Sequence, residues 1–113
     1  MSNTTTVSGS TINIVPDGTT DWVWSTDLDS GLVQAGAICL KSIQIIPTAT
    51  DDRIIIHDGG LNTAPLFDTG LIATKYDVRT IYFNPPRWCK PVIDASDCTW
   101  PALTTTSINM VLA

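Results

Sequence analysis

The chain has 113 residues and a formal net charge of −5, and all 11 of its acidic residues are aspartate. This length suits one domain with one core, and the negative charge argues against binding to a nucleic-acid backbone. Only 15% of the residues are charged, against an ordinary share of about 25%. We therefore expect neighbouring molecules to cover part of the exterior.

The first ten residues, MSNTTTVSGS, are polar and rich in threonine and serine. Little in them would hold them against a core, so residues 1–10 are predicted to form a flexible arm, mobile or exchanged, ahead of one β-sandwich domain at residues 11–113. The stretch lacks the basic and apolar regions of a secretory signal, and no run reaches the roughly eighteen apolar residues of a membrane span. A cytoplasmic product without a membrane partner is expected.

Strand-forming residues are abundant and strong helix formers are scarce, which favours an all-β chain. TINIV, residues 11–15, carries both isoleucines on one face and ends at a Pro-Asp-Gly turn. DWVWS, residues 21–25, is predicted as a strand with Trp22 and Trp24 on the same side. No helix is predicted in residues 26–36.

Two apolar segments follow. AICLKSIQIIP, residues 37–47, is predicted to form a long strand in which neither face is cleanly polar. RIIIHD, residues 53–58, is predicted as the next strand and as the partner of the first in an antiparallel hairpin.

The second half of the chain adds a short strand at Leu66 and Phe67, a strand at VRTIYF (residues 78–83) and a final strand within TTTSINMVLA. The four prolines of residues 84–101 rule out regular central-strand pairing, so this segment is predicted as an ordered loop or an edge. About seven or eight short strands at this spacing predict an antiparallel β-sandwich or jelly roll.

His57, the only histidine, is the obvious candidate for catalysis. No nucleophile motif accompanies it, and its neighbour Asp58 would point to the opposite strand face. A zinc site would combine His57 with Cys39, Cys89 and Cys98, which contain no C-x-x-C pair; no calcium-binding loop motif occurs either. We predict no enzyme activity, metal or cofactor, and free thiols, with a Cys89–Cys98 disulfide as the alternative.

RWCKPVIDASDCTW, residues 87–100, places Trp88 and Trp100 just outside the two cysteines. Exposed indoles can stack on sugar rings, but tryptophan and arginine are also enriched in protein interfaces. We favour the hypothesis that these tryptophans belong to a protein interface. The residues predicted to bind a partner are Trp22, Trp24, Arg87, Trp88 and Trp100.

Residues 39–70 resemble small structural proteins of tailed bacteriophage virions, and the likeness covers roughly a third of the chain. The resemblance rests on Lys41-Ser42-Ile43-Gln44-Ile45, Arg53-Ile54-Ile55-Ile56, Asp58-Gly59 and Leu66-Phe67, and more loosely on the terminal INMVLA. It implies a β-sandwich or jelly-roll subunit that decorates or cements a capsid, or belongs to a tail or adaptor complex, without catalytic residues. The tryptophan-rich loop is not part of this pattern.

The expected function is therefore that of a bacteriophage virion structural protein, a capsid decoration or cement protein that is assembled in the host cytoplasm. Its expected partners are further copies of itself and other virion proteins, the major capsid protein foremost. The alternative is a tail- or adaptor-associated sandwich that binds host carbohydrate through Trp88 and Trp100. The hypothesis of an enzyme that uses His57 has the least support.

Overall fold

The computed structural model describes residues 3–17, 20–28, 36–48, 52–60, 65–74, 76–95, 98 and 106–113. These residues form strands and one short helix. In chain order they are β1 (Thr4–Ser8), β2 (Thr11–Val15), β3 (Trp22–Val23), α1 (Trp24–Asp27), β4 (Ile38–Ile46), β5 (Ile55–Asp58), β6 (Pro65–Asp68), β7 (Arg79–Cys89), β8 (Pro91–Ile93) and β9 (Ser107–Leu112). The predicted all-β fold is confirmed.

The strands form two antiparallel sheets. Sheet A has the order β1-β2-β9-β4-β7, and sheet B has the order β3-β8-β5-β6. From β2 onward the chain changes sheet at every connection except the one between β5 and β6. This alternation is the topology of a jelly roll, with β1 added at one edge of sheet A.

One core lies between the sheets and draws on both of them. Isoleucines dominate it because β-branched side chains pack well on a pleated surface. Its fully buried members include Ile12, Ile14, Trp22, Leu40, Ile43, Ile45, Ile54, Ile56, Ile108 and Met110.

The predicted hairpin between residues 37–47 and 53–58 is wrong. β4 pairs with β7 and β9 in sheet A, whereas β5 pairs with β6 and β8 in sheet B. Ile43 of β4 and Ile56 of β5 belong to the same core cluster. Crossing to the opposite sheet lets two strongly apolar strands bury their side chains against each other, which pairing side by side would not do.

A β-bulge explains why neither face of β4 looks polar in the sequence. The pairing of β4 with its neighbours shifts between Leu40 and Ser42. A bulge inserts an extra residue and reverses the alternation beyond it. Leu40 before the bulge and Ile43 after it therefore both face the core, although they are an odd number of residues apart.

The strand predicted at residues 21–25 is shorter than expected. β3 ends at Val23, and α1 begins at Trp24. The Val23 N–H donates to Asp27 Oδ2 at 2.7 Å, and a carboxylate that reaches back in this way stabilises the start of a helical turn. Trp22 and Trp24 therefore do not alternate along one strand, although Trp24 still packs against the core.

The predicted arm contains an ordered strand. Residues 4–8 form β1, which pairs along its whole length with β2. Gly9 has φ +59° in the two-residue turn that joins them, and glycine adopts this left-handed conformation without a steric penalty. Through this turn the polar residues 4–8 pair with β2 and form the edge strand of sheet A.

Candidate functional site: the outer face of sheet A

Strand alternation and the pairing registers define which side chains of sheet A point away from the core. We call this surface the outer face of sheet A. Its members are Thr4, Thr6, Ser8, Thr11, Asn13, Val15, Cys39, Ser42, Gln44, Ile46, Thr80, Tyr82, Trp88, Ser107, Asn109 and Val111, with Lys41 in the bulge. Among these described residues Lys41 is the only charged one.

A row of uncharged polar side chains crosses this face at right angles to the strands. Thr6, Asn13, Asn109, Gln44 and Thr80 are register partners from one edge to the other. Asn13 Nδ2 donates to Asn109 Oδ1 at 2.8 Å, and Asn109 Nδ2 lies 3.4 Å from Gln44 Oε1. The amides therefore orient one another and hold a regular polar surface.

Two aromatic side chains project from β7, the edge strand at the other side of the face. Tyr82 is 76% exposed and Trp88 is 56% exposed. Their partners on β4 are Ser42 and Cys39, three positions apart, which places the aromatic residues about 10 Å from each other along the sheet. Together they give this side of the outer face two exposed aromatic rings.

The ion pairs of the described residues lie outside this face. The described ion pairs are Arg53–Asp68 at 2.7 Å, Arg79–Asp77 at 2.8 Å and Arg87–Asp58 at 3.0 Å. Asp58 also accepts a hydrogen bond from the Lys90 N–H at 2.9 Å. Arg87 and Asp58 thereby connect β7 of sheet A to β5 of sheet B, so Arg87 has a structural partner within the chain.

The Arg53–Asp68 pair is bidentate. Arg53 Nε donates to Asp68 Oδ1 at 3.2 Å and the guanidinium donates to Oδ2 at 2.7 Å. The hydrogen bond from Arg53 lowers the pKa of Asp68 below its ordinary value of 3.8, with a further contribution from the Gly70 N–H.

The predicted partner-binding residues fall into different environments. Trp22 is fully buried and donates from Nε1 to Thr5 Oγ1 at 3.0 Å, so it offers no surface to another molecule. Trp24 is partly buried against the core. Trp100 lies outside the described residues. Trp88 and Arg87 remain exposed on β7.

Tyr82 was not among the predicted partner-binding residues, although it is the most exposed of the large hydrophobic side chains described. The signal was the alternation within VRTIYF, which places Thr80 and Tyr82 opposite Ile81. Tyr82 faces outward for the same reason that Ile81 packs against the core.

The centre of the outer face of sheet B, where β5 pairs with β8, is buried. Val92 is 2% exposed and His57, its register partner, is 5% exposed. The segment after β8 stays close to sheet B, because Ala95 N–H donates to Asp21 Oδ1 at 2.8 Å and Cys98 Sγ lies 3.9 Å from the Ile55 carbonyl oxygen. His57 therefore sits in a buried strand surface.

None of the three cysteines forms a disulfide bond in the structure. Burial raises the pKa of Cys89 to about 12, so its thiol stays protonated and unreactive near neutral pH. Within the described part of the chain, no three His, Cys, Asp or Glu side chains come together in a way that would hold a metal ion.

Comparison of the chain with protein-family models, with curated proteins and with solved structures finds no match. Within the described ranges, no helix has the length and hydrophobicity needed to cross a lipid bilayer.

Proposed function

We propose that the chain is a structural subunit of a bacteriophage virion, a decoration or cement protein that attaches through the outer face of sheet A. The observation that carries the proposal is the combination of two exposed aromatic side chains, Tyr82 and Trp88, with a broad sheet surface whose only described charge is Lys41. Jelly rolls occur in viral capsid proteins and in lectins, so the fold is compatible with this role but does not assign it.

The charge distribution favours attachment through this face. The chain carries a net charge of −5, and burying an unpaired carboxylate against a partner is costly. The described part of the outer face has no carboxylate, so docking there avoids that cost. Aromatic burial then contributes about 25 cal/mol for each Å² of apolar area removed from water.

The proposed partners are further copies of the chain and the virion proteins beneath it, with the major capsid protein foremost. The acidic net charge disfavours attachment to packaged nucleic acid. In this arrangement Tyr82 and Trp88 are the aromatic anchors at the β7 side of the contact, and the amide row supplies its polar part, as in many protein interfaces.

The test is the number of copies of this chain in purified particles from a phage that encodes it. A Tyr82→Ala, Trp88→Ala double variant should associate about 700-fold more weakly, because interface hot spots each contribute about 2 kcal/mol and every ~1.4 kcal/mol is tenfold in affinity. Quantitative mass spectrometry of particles purified by gradient centrifugation measures the occupancy. Denaturant unfolding of the isolated variants shows whether the fold is retained.

Tyr76→Ala is the matched control, since Tyr76 is 64% exposed but lies in the connection between β6 and β7. It should leave particle occupancy unchanged. A chain that is absent from purified particles, or a double variant that folds and is retained like the parent, contradicts the proposal.

Carbohydrate binding is the second candidate, and a specific arrangement favours it. Tyr82 and Trp88 offer rings for stacking near Gln44 and Asn109, whose amides can hydrogen-bond to sugar hydroxyl groups. Titration with neutral oligosaccharides, followed by tryptophan fluorescence, tests it. A saturable change that Trp88→Ala abolishes and Tyr76→Ala preserves would favour this function over the first.

A further inference from the structure

The strands of the described ranges leave four sheet edges, and three of them are protected against pairing with another strand. β3 has only two residues before the chain turns into α1, and β6 begins with Pro65 and ends at Asp68. β7 contains Pro85 and Pro86, whose nitrogens carry no hydrogen to donate. Short strands, prolines, bulges and charges are the usual means of blocking an exposed edge.

β1 has none of these protections. Its five residues, TTTVS, include no proline, no glycine and no charge, and four of them are exposed. It is also held in place: Asn3 Nδ2 donates to the Thr20 carbonyl at 2.9 Å and Asn3 Oδ1 accepts from the Asp17 N–H at 2.9 Å. An ordered, uncharged edge with exposed backbone is suited to strand addition.

The hairpin register shows which backbone groups face outward. Ser8 and Thr11 flank the two-residue turn, and the pair that closes such a turn exchanges backbone hydrogen bonds. Hydrogen-bonded and non-hydrogen-bonded pairs then alternate along an antiparallel ladder. Thr6 and Thr4 are therefore bonded to β2, whereas the N–H and C=O groups of Thr5 and Val7 point away from the sheet.

We propose that β1 pairs antiparallel with β1 of a second copy, with Thr6 opposite Thr6 at the two-fold axis. In this register Thr5 of each chain faces Val7 of the other, and both pairs exchange the hydrogen bonds that β1 leaves open. Two five-stranded sheets become one continuous sheet. The inference rests on the proposed function, since it names the contact between copies of an assembling subunit.

Three observations select a second copy as the occupant. The strand is self-complementary, because every opposed pair in this register is uncharged and the central pair is Thr on Thr, a favourable cross-strand combination. The polar row that begins at Thr6 and continues through Asn13 would run unbroken across the two-fold axis. The chain carries a charge of −5, so two copies repel each other least where neither presents a carboxylate.

The test compares Val7→Pro with Val7→Thr. Both remove the same 42% exposed side chain, but only proline removes the outward N–H; proline is tolerated where an edge strand's N–H faces solvent. Sedimentation equilibrium over a range of concentrations should give twice the 12.2 kDa of the chain for the parent and for Val7→Thr. Val7→Pro should raise the dimer dissociation constant about 30-fold.

A cross-link tests the register independently. Cα atoms of a non-hydrogen-bonded antiparallel pair lie about 4.5 Å apart, within the range of a disulfide. Thr6→Cys should therefore form a covalent dimer on mild oxidation. Thr4→Cys, which would face Ser8 of the second copy, should stay at the background set by the oxidised parent.

A parent chain that stays monomeric at all concentrations overturns the inference, whether its β1 edge is free or covered by another protein. A Val7→Pro variant that dimerises like Val7→Thr, or Thr4→Cys cross-linking as well as Thr6→Cys, also overturns it. The proposed function fails separately, when the Tyr82 and Trp88 variants retain full particle occupancy. A dimer without particle attachment therefore leaves the strand pairing standing.

Discussion

The two sheets bury their inner faces in one core but differ in what they do with the other side. On sheet B, Val92 and His57 point away from the core and are nevertheless buried. On sheet A, the corresponding surface carries an ordered amide row and leaves Tyr82 and Trp88 in contact with water. This contrast supports the proposed attachment through sheet A, because the outward side chains shared by β5 and β8 are already buried, whereas Tyr82 and Trp88 are exposed.

The largest effect expected from this difference concerns a pair of valines. Val92→Asp places a carboxylate at the buried centre of the outer face of sheet B and should lower the free energy of unfolding by more than about 4 kcal/mol. Val111→Asp makes the same change on the partly exposed outer face of sheet A and should cost about 1 kcal/mol. Urea unfolding of both variants measures the difference, and equal losses would show that the two faces are equally accessible.

The amide row should contribute a smaller amount. Asn13 donates from Nδ2 to both Asn109 and Ser107, at 2.8 and 3.1 Å. Asn13→Ala removes both bonds from a partly exposed site and should cost about 1 kcal/mol. Thr11→Ala, on the same face of the same strand, should cost less than about 0.5 kcal/mol. Thermal or denaturant unfolding that shows no gap between them would mean that the row has no stabilising role.

The smallest effect concerns the ion pair at the edge of sheet B. Because Arg53 holds the pKa of Asp68 below 3.8, this pair stabilises the fold above the unfolded-state pKa of about 3.9. The contribution is lost as the pH falls through the lower folded-state pKa. Asp68 is partly exposed, so Asp68→Asn should cost less than about 1 kcal/mol at neutral pH. Unfolding curves of parent and variant should converge in acid; a constant gap would contradict the assignment.

Much of the fold could be predicted because several strands bury one face only. TINIV alternates cleanly, and it forms β2 with Ile12 and Ile14 in the core. The final strand is predicted equally well, since Ile108 and Met110 point inward in β9. For strands of this kind the period of two is visible without knowledge of their neighbours.

Other features depend on tertiary structure. β8 lies between β3 and β5 in sheet B but begins at Pro91, a position where proline is tolerated at the start of a strand. The bulge at Lys41 shifts the alternation of β4, so the sequence does not show which face of this strand points outward. The sheet to which each strand belongs could not be predicted either. β4 and β5 lie in opposite sheets because their apolar side chains are buried against each other in the core.

The candidate site was predictable only in part. Trp88 is predicted from the enrichment of tryptophan in interfaces and from the basic residues Arg87 and Lys90 beside it. Trp22 is predicted to bind a partner as well, but it is buried. Its burial depends on the contact between β1 and β3, the edge strands of the two sheets, which no local sequence pattern encodes. Tyr82 is a candidate because its pairing with Ser42 of β4 shows that its side chain points outward.

The hydrogen bond from the Trp22 indole to Thr5 joins an interior chromophore to the strand at which two copies are proposed to meet. If β1 separates from β2, the buried Trp22 indole loses its hydrogen-bond acceptor and becomes accessible to water. In a variant whose other three tryptophans are replaced by phenylalanine, the fluorescence of Trp22 therefore reports whether β1 is paired with its sheet, without an added label.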